Sequence, residues 1–520
     1  MARDTCSTHY LTTLSGIVAT TVIVCMAYGL GLQIFRYREI KFLRPQFATV
    51  TKSTPNEILI ENTSFPFKYY KPLLDISVDI KNYWLYFRSV VNRMDLKNKT
   101  STVDDGYVAI QSGIRSLMGI TLPERQHRLK AMSDHITKKI VELQFPHDCK
   151  KARLLLCDIG NFCGFGCTLH SLINCLLQAF VAGRTMVFRS KGWQYADEGW
   201  EYAFLPLGKC KDERQLTSIP KLSEASESER VVGLKSKVES WIHWSIPTEL
   251  ESELKQLHGH PYGWWLSRFT SYVFRLKPWL KKHLQTVEKE INFTSSVVGI
   301  HVRWGDKIRK EAEKHQVEEY MVFVERWFEQ LEHSGQSVNR TVYLATETPA
   351  VVADLTTRYP NFKFISNRLV TTKTRPRSRY EQGGLESVIS DIYFLSKCDY
   401  LVCTLSSSVC RTAYELLNNR HGDATTRFQT VDTWYRLKRN FRNPWIAIMD
   451  HNPAEPDEIE LRKGDQITVT LSAHIPTNDG FLRGTNQRTK QQGKFPVFKG
   501  REQVFSYNVS ELYDITYPWI

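Results

Sequence analysis

His301, Arg303, Asp306, Lys307 and Glu311 stand close together behind a β-branched run of Val297, Val298, Ile300 and Val302. Such a run reads as a buried parallel strand, and open α/β sheets bind ligands at the carboxyl ends of their strands. Arg303 would sit at that end. A guanidinium there can grip a diphosphate through two parallel hydrogen bonds, which a lysine cannot copy. Lys307 and Glu311 have the i,i+4 spacing of a helical ion pair. The same residues could instead form an ion-pair cluster at a strand terminus, and both readings fit them.

The elements around this cluster alternate in type. Residues 145–290 read as a first α/β region, with buried strands at Leu154–Cys157 and Thr185–Phe188. Between them Gly160, Gly164 and Gly166 precede a Leu-rich helical run. Such a turn can face phosphates, but it lacks the dinucleotide fingerprint. Trp264, Trp265 and Trp279 read as core aromatics. Residues 291–445 repeat the alternation, with strands near 297–302, 341–345, 362–366 and 399–404, and read as a Rossmann-like parallel sheet.

Upstream, residues 67–144 read as helical. Leu73, Ile76, Ile80, Tyr83, Phe87, Val90 and Met94 recur by threes and fours, the seam of a coiled coil. One amphipathic helix packed on its own domain is the other reading. A second helical pattern runs through Leu129, Met132, Ile136, Ile140 and Leu143, after Pro123. Residues 36–66 read as a stem. Tyr10–Phe35 holds no charged residue, so 1–35 reads as a short tail and an uncleaved membrane anchor. Cleavage near Cys25-Met26-Ala27 is the alternative. Arg36, Arg38 and Lys41 would put the C-terminal side in the cytoplasm, whereas cysteines and sequons favour a luminal body, which is preferred.

The totals narrow the function classes. A formal net charge of +14 over 520 residues suits polyanions, anionic membrane surfaces or phosphorylated substrates. Nucleic acid fits less well, because the chain has no RNP, zinc-finger or basic-helix signature. With 42% apolar and 24% charged residues, wholesale disorder is excluded. No Asp-x-Asp triplet occurs, so there is no obvious carboxylate pair for a metal-bound diphosphate. Cys149, Cys157, Cys163, Cys167, Cys175 and Cys210 crowd one region, and Cys403 and Cys410 lie close together. Zinc competes here, but Cys163-x3-Cys167 lacks a second Cys/His pair at the usual spacing. Asn-x-Ser/Thr acceptors at Asn62, Asn98, Asn292, Asn339 and Asn508 fit a secretory context.

His301-Val302-Arg303-x-x-Asp306-Lys307, with Glu311 four residues on, resembles the donor-site motif of the α-1,6-fucosyltransferase family. Its members make core fucose on N-glycans, and bacterial chitin-oligosaccharide fucosyltransferases are relatives. Glu318-Glu319-Tyr320-Met321-Val322, Tyr343-Leu344-Ala345-Thr346, Asp391-Ile392-Tyr393-Phe394-Leu395-Ser396 and Leu401-Val402-Cys403-Thr404-Leu405-Ser406-Ser407 follow in the family's order. Upstream, Cys157 to Cys175 and Trp193 to Trp200 also fit. The likeness runs from roughly residue 67 onward, and an ordered series is more specific than any one motif. Where the family carries a second arginine after the first, this chain has Trp304. Trp445–His451, Asp457–Ile467 and Gly493–Pro496 resemble an SH3 domain. Met449 and His451 replace the aromatics of a polyproline groove there, so proline-peptide binding is not expected.

The resemblance implies an α/β, GT-B-like glycosyltransferase with a Rossmann-like donor domain, N-terminal coiled-coil helices that form a homodimer, and a C-terminal SH3-like β-barrel over 446–520. It implies transfer of L-fucose from GDP-β-L-fucose to the 6-hydroxyl of the innermost, Asn-linked GlcNAc of N-glycans, with inversion and without metal or cofactor. By motif position Arg303 meets the diphosphate, Glu311 is the base, Lys307 orients it and Asp306 ties down the loop. His301, Arg303, Tyr195, Asp391 and Ser407 fall at donor positions, and Asp432, His474 and Glu347 at acceptor positions. His260, Thr348 and Thr433 stand where the family has acidic residues. Bridges Cys149–Cys210, Cys157–Cys175, Cys163–Cys167 and Cys403–Cys410 are implied, leaving Cys398 as a buried thiol. The expected location is the Golgi membrane, single-pass type II, with a luminal body. The other readings are a fucosyltransferase with a different oligosaccharide acceptor and a catalytically silent glycan-binding or SH3 scaffold protein. Keeping Arg303, Asp306, Lys307 and Glu311 together argues against the last.

Overall fold

The computed structural model describes residues 69–93, 100–120, 122–159, 163–226, 228–234, 245–294, 296–304, 314–367, 380, 383–435, 443–469 and 479–508. Helices α1 (Tyr70–Arg93), α2 (Thr100–Ile120) and α3 (Leu122–Gln144) come first. A first α/β unit follows, with β1 (Leu154–Asp158), α4 (Phe165–Val181), β2 (Thr185–Arg189), β3 (Val231–Gly233), β4 (Ser245–Pro247), α5 (Thr248–Leu257), α6 (Pro261–Val273) and α7 (Pro278–Glu290). The second holds β5 (Val297–Val302), α8 (Val317–His333), β6 (Thr341–Thr346), α9 (Pro349–Arg358), β7 (Lys363–Ile365), α10 (Gly384–Lys397), β8 (Tyr400–Cys403), α11 (Ser408–His421) and β9 (Phe428–Thr430). Strands β10 (Asn443–Ala447), β11 (Gln466–Val469), β12 (Phe481–Asn486), β13 (Gln492–Pro496), β14 (Gly500–Glu502) and β15 (Phe505–Tyr507) end the described chain.

In the first unit β1 runs parallel between β2 and β3. In the second, all strands are parallel, in the order β7-β6-β5-β8-β9. Every position of β5 is buried, which is why its sequence, His301 apart, is an apolar run rather than an alternation. Val298, Ile300 and Val302 pack on the side of α8, and Val297 packs on the other, with α10 and α11. The C-terminal strands form an antiparallel sheet, β13-β12-β11-β10-β14. Disulfides join Cys149–Cys210, Cys157–Cys175, Cys163–Cys167 and Cys403–Cys410, the pairings that the resemblance implies, and Cys398 is free and buried.

Three expectations change in whole or in part. The described seam residues of α1, Leu73, Ile76, Ile80, Tyr83, Phe87 and Val90, are half-buried, Met94 lies outside the described residues, and the chain itself covers part of that face. Leu73, Ile76 and Ile80 pack around Ile114 and Met118 of α2. Tyr83 meets Phe498 with ring centres 5.2 Å apart, and Tyr86 meets Phe481 at 5.2 Å. Arg501 pairs with Asp79 at 2.8 Å. Gly480, at φ 75°, lies so close to the Tyr86 backbone that a Cβ would have no room. A spacing of three and four marks one buried helix face, whether a second helix or a sheet covers it. Here the C-terminal sheet covers part of it.

The Golgi membrane anchor is also corrected. Among the described residues no helix is long and apolar enough to cross a membrane, because the long helices interleave charged residues with apolar ones. The uncharged Tyr10–Phe35 run and the stem at 36–66 lie outside the described residues. Trp264 and Trp265 are fully buried, but Trp279 is 43% exposed. It stands in the first turn of α7, where its indole N–H donates to the Tyr202 carbonyl at 3.2 Å.

Burial is the largest cause that holds His258 down to about 4 and His260, His301 and His421 down to about 3. Each would titrate near the ordinary histidine value of 6.5 when unfolded. Below that value the unfolded chain therefore binds more protons than the folded one, so stability falls as pH falls. The melting temperature is expected to decline steadily from pH 6.5 to 4. A flat profile over that window would contradict this account of the buried rings.

Candidate active site

Strand order reverses at β5, with β6 and β7 on one side and β8 and β9 on the other. Loops leaving the carboxyl ends of β5 and β8 diverge at such a point and open a crevice. Arg303 is the first residue past β5, and half-buried. His301 lies in register between Ala345 and Cys403. It is 7% exposed, and its Nδ1 has no hydrogen-bond partner among the described residues. Burial, and then the Arg303 charge, keep this imidazole neutral, so the ring can meet a ligand without adding charge. Glu347 follows the end of β6, and its buried Oε1 likewise has no partner among the described residues.

The loop after β8 is held rigidly. Asp432 Oδ1 accepts from the Leu405 amide at 2.7 Å and from Thr430 Oγ1 at 2.9 Å, while Oδ2 accepts from the Ser406 amide at 3.1 Å. The Cys403–Cys410 bridge ties the strand end to the first turn of α11. Ser407 is the N-cap of that helix, and its side chain makes no cap bond. The amino end of α11 thus follows directly on the carboxyl end of β8, and a helix amino end favours negative charge.

The first unit supplies the opposite wall. Tyr195 Oη accepts from the Phe165 amide at 2.9 Å, at the start of α4, and its ring packs on Tyr380 at 4.9 Å. Gly166 lies against the start of α11, where a Cβ would meet Ser408 Cβ at 2.8 Å, so the two helix N-termini converge. On α10, Asp391 accepts from Tyr343 Oη at 2.9 Å. Burial pushes its carboxyl up to about 7 although that hydrogen bond opposes the shift, so near neutral pH it can donate or accept.

Beneath the cleft lies a polar knot that the sequence did not announce. Glu415 accepts from Tyr435 Oη at 2.7 Å and Thr270 Oγ1 at 2.7 Å, and meets His170 Nε2 at 3.1 Å. Burial opposes the charge on both His170 and Glu415, yet their mutual attraction raises the histidine and lowers the glutamate. Its members come from both α/β units, so no local spacing could reveal it.

Trp304, where the family carries an arginine, has a structural part to play. Its Nε1 donates to the His315 carbonyl at 2.8 Å, and Lys314 Nζ sits 3.9 Å over its ring. Trp304, just before 305–313, is therefore joined to Lys314 and His315, just after it. Asp306, Lys307, Glu311 and His474 lie outside the described residues. The structure thus brings His301, Arg303, Glu347, Ser407 and Asp432 to one edge of the parallel sheet, with Tyr195 and Asp391 on flanking elements.

Residues 78–436 match the family model described as alpha-(1,6)-fucosyltransferase N- and catalytic domains, and 447–499 match a variant SH3 domain. The chain is similar to the alpha-(1,6)-fucosyltransferase of Drosophila melanogaster, 34% identical over 385 residues, with 73% of this chain and 61% of that protein covered. The match thus spans about three fifths of the fly protein's length. It is also similar to the alpha-(1,6)-fucosyltransferase of Caenorhabditis elegans, 31% identical over 441 residues, covering 82% and 77%. Among solved structures, fucosyltransferase NodZ from Bradyrhizobium is similar at 16% identity, covering 51% of this chain and 92% of that one, with a TM-score of 0.30.

Proposed function

We propose, because this chain belongs to the α-(1,6)-fucosyltransferase family, that it moves L-fucose from GDP-β-L-fucose to the 6-hydroxyl of the innermost GlcNAc of N-glycans. The observation that carries the reading is Arg303 as the first residue past β5, at the reversal of strand order, with the neighbouring strand β8 leading into the amino end of α11. The acceptor oxygen forms a bond to the anomeric carbon of fucose as the bond from that carbon to the diphosphate breaks. A single displacement of this kind inverts the centre. Negative charge grows on the departing GDP, where Arg303 and the α11 amides stabilise it. The hydroxyl proton passes to Glu311. His301, Tyr195, Ser407 and the partly protonated Asp391 line the donor side. Glu347, His474 and Asp432 serve the acceptor side, Asp432 through the 405–406 loop that it holds.

The lack of an Asp-x-Asp triplet supports a metal-independent reaction. Radiolabelled fucose should pass from GDP-fucose to an agalacto N-glycan as fast in EDTA as without it. Loss of transfer in EDTA, restored by manganese, would overturn the metal-free reading, and absence of transfer under both conditions would overturn the transferase reading.

A further inference from the structure

A cavity of about 190 Å³ lies at the edge of the parallel sheet opposite Arg303, where β8 opens with Tyr400 and β9 with Phe428, under helices α1, α2, α3 and α8. Its lining is unusually cationic. Lys81, Arg115, Arg125, Arg326 and Arg427 face it, against Asp423 as the one lining carboxylate. That carboxylate is already engaged: its Oδ2 accepts from Tyr70 Oη at 2.8 Å and from the Gly259 amide at 3.2 Å, and its Oδ1 accepts from the Thr425 amide at 2.8 Å.

Some of the cations are satisfied. Arg326 pairs with Asp104 at 3.1 Å, Arg115 donates to Gln330 Oε1 at 2.8 Å, and Arg427 donates to the Asp399 carbonyl at 3.2 Å. Others are not. Arg125 is 3% exposed, lies 3.7 Å from Asp423, and leaves buried Nε and Nη1 without a hydrogen bond among the described residues. Lys81 has neither an ion-pair nor a hydrogen-bond partner among the described residues, and burial alone holds it down to about 8. Burial and the Arg427 charge hold Arg115 down to about 10. Buried cations that outnumber their counter-charges are destabilising, and a bound anion would offset that cost.

We propose that this cavity binds a small polyanion bearing phosphate groups, of pyrophosphate or sugar-phosphate size, at a site separate from the donor crevice. Water needs roughly 10–15 Å³ of such space, so the cavity holds on the order of a dozen small groups and is too small for a whole nucleotide sugar. Exposed Gly119 and Gln126, at the turn from α2 to α3, stand in its lining and give it a mouth. The arginines supply forked donors and Lys81 a point charge, while the Tyr70 ring, 3.9 Å under the Arg125 guanidinium, fixes one fork in place. A purely structural cluster would have balanced its charges, as the exposed pairs of this chain do.

The test uses the full chain at physiological salt, with inorganic pyrophosphate and glucose 1-phosphate as probes, followed by calorimetry and thermal melting. An Arg303→Ala background removes the diphosphate site of the donor crevice, so failure of the donor reading and failure of this one are separable. Binding should persist in Arg303→Ala and weaken about tenfold or more in Lys81→Met, since a hydrogen bond to a charged group is lost. Lys138→Met removes the same charge from a side chain that is 75% exposed and should change nothing. Without probe, Lys81→Met should melt no lower than the parent, because a desolvated charge is gone. Loss of binding in Arg303→Ala, undiminished binding in Lys81→Met, or equal weakening in Lys138→Met would each overturn the proposal.

Discussion

Arg303→Ala and Arg303→Lys are both expected to lower fucose transfer on the order of 100-fold or more, the scale of losing one donor that meets developing charge. The residue stands one position beyond β5, at the reversal of strand order, beside the strand β8 that leads into α11. His301, two residues earlier, is held neutral by burial, so it cannot replace the lost charge. Lysine restores that charge but not the planar fork that meets two oxygens at once. Arg303 is half-buried at the crevice rather than in the core, so both variants should fold and melt close to the parent. Turnover and melting temperature measured on the same preparation separate loss of chemistry from loss of fold. A lysine variant with near-normal turnover would show that the diphosphate assignment is wrong.

Glu311→Gln should leave donor binding almost intact while transfer falls by roughly 100-fold or more, the usual worth of a positioned base. Glutamine keeps the shape and the hydrogen bonds but cannot take the proton. In the sequence Lys307 precedes Glu311 by four residues, a spacing at which a helix brings a cation beside the carboxylate. That neighbour would keep it ionised at working pH. An ordinary surface ion pair predicts something quite different, a stability change of about 0.5 kcal/mol with turnover unaffected. GDP-fucose affinity by calorimetry and turnover by radiolabel distinguish the two. Normal turnover in the glutamine variant would remove Glu311 from the mechanism.

The donor sheet was legible because its strands are buried on both faces. Val297, Val298, Ile300 and Val302 could scarcely read otherwise, and the polar residues behind them marked the carboxyl end. The cysteine pairs were legible only through the family's motifs, since spacing alone left zinc as a competitor. Long-range partners were not legible at all. The face of α1 that looked like a coiled-coil seam is covered in part by α2 and by Phe498, which lies hundreds of residues away. Trp279 read as core because composition cannot tell a buried indole from one lying over a surface carbonyl. The knot of His170, Thr270, Glu415 and Tyr435, and the cation-lined cavity, follow from how helices from different units meet. Trp304 shows the limit most clearly: the sequence marked it as a substitution, and only its bond to the His315 carbonyl shows what it holds.

The most direct measurement is the position of the fucose that this chain adds. The full chain would be incubated with GDP-fucose and an agalacto biantennary N-glycan, and the product fragmented by mass spectrometry and digested with linkage-specific fucosidases. The account predicts a single fucose on the innermost GlcNAc, removed only by an enzyme that cleaves the α-1,6 bond. Fucose on an outer residue, or in any other linkage, would contradict it.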